Sequence, residues 1–165
     1  MAIHLTPKDI EIGDSDKVFF VAEAGINHNG SVDRALELIK VAKDCGADAV
    51  KFQKRTVSRI LTKEGLNKPY DTPNSFGKTY GEHKDFLELS FDDFKKMKAY
   101  ADEIGIIFMA SGWDEESVDF LDSIGVSIFK MASADLTNLP LLVHTAKKNK
   151  PMILSTGMAD LDIVK

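Results

Sequence analysis

Five short apolar runs each close on a burst of polar residues, with helix-like stretches between them, and this alternation constrains the fold more than any other feature of the chain. The bursts are Glu23-Ala24-Gly25-Ile26-Asn27-His28-Asn29-Gly30, Lys51-Phe52-Gln53-Lys54, Ser111-Gly112-Trp113-Asp114, Lys130-Met131-Ala132-Ser133 and Ser155-Thr156-Gly157. The runs that lead into them, Val18–Ala22, Ala47–Phe52, Ile106–Ala110, Ser127–Met131 and Met152–Leu154, are too short for helices and suit strands buried on both faces. Ser31 can cap a helix running to about Asp44, with Ala35, Leu36, Leu38, Ile39 and Ala42 inward and Gly46 just past its end. Ser90-Phe91-Asp92-Asp93 opens a second helix that stops at Ile104, Asp114 opens a third that ends near Gly125, and Pro140 sits in the first turn of a fourth.

Strands alternating with helices through right-handed crossovers leave two architectures, an open doubly wound sheet or a closed TIM-type (β/α) barrel. The open sheet wants Gly-x-Gly-x-x-Gly after the first strand; Glu23 to Gly30 stands there instead, so the barrel is the expectation. A full barrel takes about 250 residues. These 165 residues hold only the first five or so βα units, so the chain is expected to be one N-terminal piece of a longer protein. The alternative is an incomplete barrel that covers its open sheet edges by association.

Lys54 to Ser90 is a long polar insertion with Pro69, Pro73, Gly65, Gly77 and Gly81, and its dense segment Gly77-Lys78-Thr79-Tyr80-Gly81-Glu82-His83-Lys84 reads as a lid rather than a disordered tail. Lys and Arg number 21 against 26 Asp and Glu, a net charge of -5 that argues against a nucleic-acid surface. No apolar run approaches the roughly 20 residues of a membrane span. Met1 to Lys8 lacks the basic start and apolar core of a secretory leader, so the cytoplasm is the expected compartment. Cys45, the single cysteine, reads as packing at a buried helix end.

Gathered at one barrel mouth, these strand ends describe a pocket for an anionic, hydroxyl-rich ligand. Lys51 and Lys130 supply cations on flexible stems, and Ser111, Ser133 and Ser155 add short donors near the backbone. The plainer reading makes both lysines surface residues at loop starts. Glu23 follows five apolar residues, so its carboxylate is expected to be partly desolvated and suited to proton handling. Alternatively it is an ion-pair partner of Lys51 that closes the barrel. His28 stands alone, because His4, His83 and His144 are not at ligand spacing from it, and no metal site is assigned within the chain.

The same segments, together with Gly46-Ala47-Asp48-Ala49-Val50 and Leu154-Ser155-Thr156-Gly157-Met158, resemble the sialic acid (N-acetylneuraminate) synthases in order and spacing, from about Val18 onward. The resemblance implies a TIM barrel followed by a small antifreeze-like domain, with the later barrel strands and that domain absent from residues 1–165. It implies a homodimer that condenses phosphoenolpyruvate with N-acetylmannosamine, its 6-phosphate or a related N-acetylated amino sugar, releasing phosphate. It further implies a divalent metal, Mn²⁺ or Mg²⁺, whose histidine ligands lie beyond the fifth strand. Under it, Lys51, Lys130, Ser111, Ser133 and Ser155 hold phosphoenolpyruvate, and Glu23 is the catalytic carboxylate that positions or deprotonates water. Gln53, Asn27, Tyr80 and Lys78 join the substrate-binding set: an amide both donates to and accepts from hydroxyls, and a lysine on the insertion can read a 6-phosphate. One departure is Ala110-Ser111-Gly112, where some members carry Ser-Thr-Pro; this version looks closer to the branch that includes the animal enzymes. Two other classes stay open: a Schiff-base aldolase built on Lys130, and an inactive half-barrel that binds a partner through its open edge.

Overall fold

The computed structural model describes residues 3–5, 10–13 and 17–165. Much of the N-terminal stretch read above for a leader therefore lies outside the described residues. A short antiparallel hairpin, β1 (Ile3–Leu5) and β2 (Ile10–Ile12), precedes the main sheet. The sheet holds five parallel strands in the order β3 (Val21–Gly25), β4 (Ala49–Lys54), β5 (Ile107–Gly112), β6 (Phe129–Met131) and β7 (Met152–Leu154). Spatial order follows chain order without reversal. That is the wall of a partial (β/α) barrel, since a doubly wound sheet reverses direction partway across.

The helices form where caps and apolar stripes coincide. Helix α1 (Val32–Asp44) starts on Ser31, whose hydroxyl accepts the Arg34 N–H, and buries Ala35, Ile39 and Ala42. Three short helices, α2 (Val57–Ile60), α3 (Lys63–Asn67) and α4 (Tyr80–Leu87), occupy the insertion. Helix α5 (Phe91–Ile104) begins in a capping box of Ser90 and Asp93 and ends on Gly105 in the left-handed region, both at the positions expected. Helices α6 (Glu115–Ser123), α7 (Leu139–Ala146, with Pro140 in its first turn) and α8 (Leu161–Val164) complete the chain.

Alternation along the strands separates two cores. Val50, Phe52, Phe108, Ala110, Phe129 and Met131 face the helices and pack on Ile39, Phe94, Met97 and Leu121. Ala49, Ile107, Met109 and Ile128 face the barrel interior, where Ile12, Phe19, Val21 and Ile153 cover them. Both faces of β5 are buried along its whole length, which is why its sequence reads as a continuous apolar run.

Two expectations are corrected here. The first main strand is not Val18–Ala22 but Val21–Gly25; Val18 and Phe20 are 71% and 64% exposed. Parallel register sets Val21 opposite Ala49 and places Glu23 beside Lys51, so the polar residue belongs to the strand rather than to the loop after it. Cys45 is exposed, because α1 stops at Asp44 before its buried stripe recurs, and Cys45 serves only as the backbone C-cap.

The insertion is folded rather than a loose tail. Tyr70, Phe76, Tyr80, His83 and Phe86 stack on one another, and α4 seats on the loop after β3. That seating requires glycine at position 30: its φ is +74°, and a Cβ there would lie 2.4 Å from the Phe86 carbonyl oxygen.

Candidate active site

In a strand every second residue shares a face, so the parity that sends Ala49, Ile107, Ile128 and Ile153 inward also sends Lys51, Gln53, Ser111, Lys130 and Ser155 inward. Register then makes them neighbours: Glu23 lies beside Lys51, Gln53 beside Ser111, and Ser111 beside Lys130. The Lys51 ammonium reaches the Glu23 carboxylate at 2.8 Å, with the lysine side chain 7% exposed and the glutamate 62%. Among the described residues Glu23 is exposed because β3 is an edge strand of the five-stranded sheet that they form.

Lys130 donates to Ser155 Oγ and, at 2.8 Å, to the Met131 carbonyl. Burial holds its ammonium pKa below the ordinary lysine range, and the Lys51 charge pushes the same way while Glu23 opposes both. Two cations that sense each other on one sheet face, beside serine hydroxyls, have the chemistry to bind a doubly anionic ligand. Ser133 opens a short 3₁₀ turn (Ser133–Asp135) and faces Gly157, where a Cβ would meet its own at 3.4 Å, so it borders the Ser155 loop. Gln53 lies against Gly25, whose built Cβ would come 3.8 Å from its Nε2.

The remaining candidates are placed elsewhere. Asn27 is an exposed turn residue whose N–H donates to the Ala24 carbonyl. Lys78 is exposed, and its N–H donates to Glu82 in the capping of α4. Tyr80 lines a separate cavity of about 460 Å³ whose wall includes Arg55, Arg59, Lys84, Trp113 and Asp135. Those five residues escape sequence reading because they come from segments after three different strands and from α2 and α4. The available signal is spacing: Arg55, Trp113 and Asp135 each stand two residues beyond a predicted site residue, Gln53, Ser111 and Ser133.

A buried charge cluster supports this mouth. Glu88 accepts from Arg55 Nε at 2.5 Å and lies 3.6 Å from the Lys54 ammonium, which also donates to the Leu89 carbonyl. Asp114 accepts from the Thr56 and Ser117 N–H groups and from the Ser117 hydroxyl, tying the loops after β4 and β5 together.

His28 is 1% exposed, and its Nδ1 accepts the Gly30 N–H, so the neutral imidazole carries its proton on Nε2. Burial, aided by the Arg55 charge, lowers its pKa to about 4. The unfolded chain protonates this histidine near pH 6.5 and the folded chain does not. Stability is therefore expected to fall as pH drops from about 6.5 to about 4, by up to roughly 3 kcal/mol, and to level off below. Urea unfolding at pH 7 and pH 5 of the native chain and of His28→Gln checks this; an equal loss in both removes His28 as the source.

Among the described residues no group of three or more His, Cys, Asp or Glu is placed to hold a metal ion. The metal implied by the resemblance therefore has no ligand set there, and no chemical step below is assigned to it. No helix among the described residues is long and apolar enough to cross a membrane.

Comparison with known proteins adds the following. The chain is 47% identical over 154 residues to N-acetylneuraminate-9-phosphate synthase of Mus musculus, covering 93% of this chain and 43% of that protein. It is 44% identical over 154 residues to the N,N'-diacetyllegionaminic acid synthase of Legionella pneumophila, covering 93% of this chain and 43% of that protein. The crystal structure of N-acetylneuraminic acid synthetase from Leptospira borgpetersenii, in complex with citrate, superposes with a TM-score of 0.80 at 30% identity, covering 99% of this chain and 52% of that one. This chain thus spans less than half the length of the curated relatives it matches. A truncated 3-deoxy-D-arabino-heptulosonate 7-phosphate synthase from Thermotoga maritima shares the fold, with a TM-score of 0.65 at 16% identity, covering 99% of this chain and 49% of that one. The NeuB family pattern matches residues 38–165, more than half of the sequence, and the chain belongs to the NeuB family.

Proposed function

We propose that the protein carrying this chain condenses phosphoenolpyruvate with an N-acetylated amino sugar, releasing phosphate and forming a sialic or related nonulosonic acid. The observation that supports it best is the convergence of Lys51 and Lys130, with Glu23, Ser111 and Ser155, on the inner face of a parallel sheet. Phosphoenolpyruvate carries a phosphate and a carboxylate, and two cations flanked by hydroxyl donors match both. In this reading C3 of phosphoenolpyruvate forms the new bond to the sugar aldehyde carbon, whose C=O π bond opens to a hydroxyl as its oxygen takes up a proton, while water adds at C2. The resulting tetrahedral intermediate expels phosphate as its C2–O bond breaks. In this reading Glu23, held by Lys51, orients that water and takes its proton. Gln53, one row above Lys51, offers an amide to the acceptor hydroxyls. A cytoplasmic homodimer, and a Mn²⁺ or Mg²⁺ ion held by residues beyond this chain, belong to the same proposal.

The test is phosphate release from phosphoenolpyruvate with N-acetylmannosamine or its 6-phosphate and Mn²⁺, comparing the 165-residue chain with a version extended through eight barrel strands. Turnover is expected in the extended protein only. The lowered pKa of Lys130 favours one rival, a Schiff-base aldolase. A borohydride-trapped adduct on Lys130, without phosphate release, would replace the synthase reading.

A further inference from the structure

Asn29-Gly30, in the loop after β3, is the single Asn-Gly pair of the chain, and none of the chemistry above uses it. Glycine puts no side chain beside its own nitrogen, so in a flexible chain that nitrogen is free to attack the asparagine side-chain carbonyl. A bond then forms from Gly30 N to Asn29 Cγ, the Cγ–Nδ2 bond breaks, and ammonia leaves with the proton that the Gly30 nitrogen gives up. Water opens the resulting cyclic imide on one side or the other. Opening at the main-chain carbonyl gives isoaspartate, and opening at Cγ gives ordinary aspartate, so one water enters and one ammonia departs.

Exposure favours this reaction. Asn29 and Gly30 both face solvent, and the Asn29 side-chain amide makes no hydrogen bond among the described residues.

The fold opposes it at the attacking atom. The Gly30 N–H donates to His28 Nδ1 at 3.1 Å, and attack requires that proton to leave. A hydrogen bond to an acceptor favours the protonated nitrogen, whereas the anion left by proton loss would face a lone pair. His28 is buried, with its ring centroid 6.1 Å from that of Phe52, so the lone pair is held in place. A pKa of about 4 keeps the imidazole neutral at pH 7 and leaves Nδ1 able to accept, yet makes it too weak a base to take the proton itself. The turn adds a second restraint. Asn29 and Gly30 have left-handed φ values of +49° and +74°, and the Asn29 and Ser31 N–H groups donate to the Ile26 and His28 carbonyls at 3.0 Å. Rotating the Asn29–Gly30 peptide plane carries its N–H away from His28 and works against both flanking bonds.

We propose that Asn29 is a latent deamidation site, guarded in the native fold by the hydrogen bond from Gly30 N–H to His28 Nδ1 and unmasked when that bond is lost. The guard rests on this loop alone and not on the synthase reading above. Isoaspartate inserts a methylene into the backbone beside Gly30, where a Cβ would already crowd the Phe86 carbonyl oxygen at 2.4 Å, so a converted loop no longer fits against α4. Conversion is thus a one-way loss of the native loop.

The test incubates the full-length protein that carries this chain in mildly alkaline buffer, folded and in guanidinium chloride. Mass spectrometry of the peptide containing Asn29 reads the amide-to-acid shift and the isoaspartate. Conversion at Asn29 is expected to be at least about tenfold slower in the folded protein than in the unfolded one, as for a reaction that waits on local opening. His28→Phe keeps a ring against Phe52 but offers no lone pair, and water can take up the exposed Gly30 N–H, so the folded variant should lose most of that protection. Amide hydrogen exchange at Gly30 reads the same proton loss without any substitution and should be slowed in the native protein, which decides the matter if thermal melting shows the variant unfolded. Conversion as fast in the folded protein as in the unfolded one, unprotected exchange at Gly30, or a folded His28→Phe as slow as the native protein would each overturn the guard.

Discussion

Lys130→Met is expected to lower kcat/KM for phosphoenolpyruvate by at least about thirtyfold, or about 2 kcal/mol of transition-state stabilisation, in the extended protein. The size follows from a charge-assisted bond to phosphate or carboxylate oxygens on a partly buried sheet face, where water screens less than at the surface. Folding should change little. Lys130 makes its hydrogen bonds to Ser155 and Met131 against repulsion from Lys51, so an apolar stem of similar length removes a cost along with the contact. Steady-state phosphate release, with thermal melting as the control, checks both halves. An unchanged kcat/KM would take Lys130 out of the site. Because burial and Lys51 lower its pKa, the cation is lost at lower pH than for an ordinary lysine, and phosphoenolpyruvate affinity should fall on the alkaline side accordingly.

The largest stability effect is expected from Glu88→Ala, about 3–5 kcal/mol, the usual cost of stripping a buried ion pair of one partner. Lys54 and Arg55 have side chains 6% and 4% exposed, and Glu88 is the carboxylate that both approach. Burial lowers the Lys54 pKa even with Glu88 in place, which shows how poorly that position tolerates a charge. Without Glu88, two cations remain enclosed near Phe91 and Phe94. Glu88→Gln should cost less, because an amide oxygen still accepts from Arg55. Urea unfolding measures the loss, and a change under about 1 kcal/mol would mean that water reaches the cluster and screens it.

Much of this architecture is legible in the residues. Ser31, Ser90, Asp114 and Pro140 mark helix starts through capping chemistry that acts over three or four residues, and the structure puts helices where those signals fall. Strand ends are less legible, since an apolar-run criterion gives out where the strand residues turn polar. Gln53 and Ser111 are polar because they face the mouth, yet they sit within strands, and β4 and β5 each extend two residues past the apolar runs Ala47–Phe52 and Ile106–Ala110. The β1–β2 hairpin has strands of three residues, too short for any periodicity to show. The cavity was hidden for another reason. Arg55, Trp113 and Asp135 meet only once parallel register is known, and whether Lys78 or Lys84 borders it depends on where α4 begins. Its start at Tyr80 sets Lys84 four residues on, over the same face, and leaves Lys78 outside the helix.

Gly30 and Phe86 approach so closely that any side chain at position 30 would have to push α4 off the loop after β3. The loop that follows Glu23 and the insertion that carries Tyr80 and Lys84 are thereby fitted to each other through bare backbone, and a single added methyl group at position 30 is enough to part them.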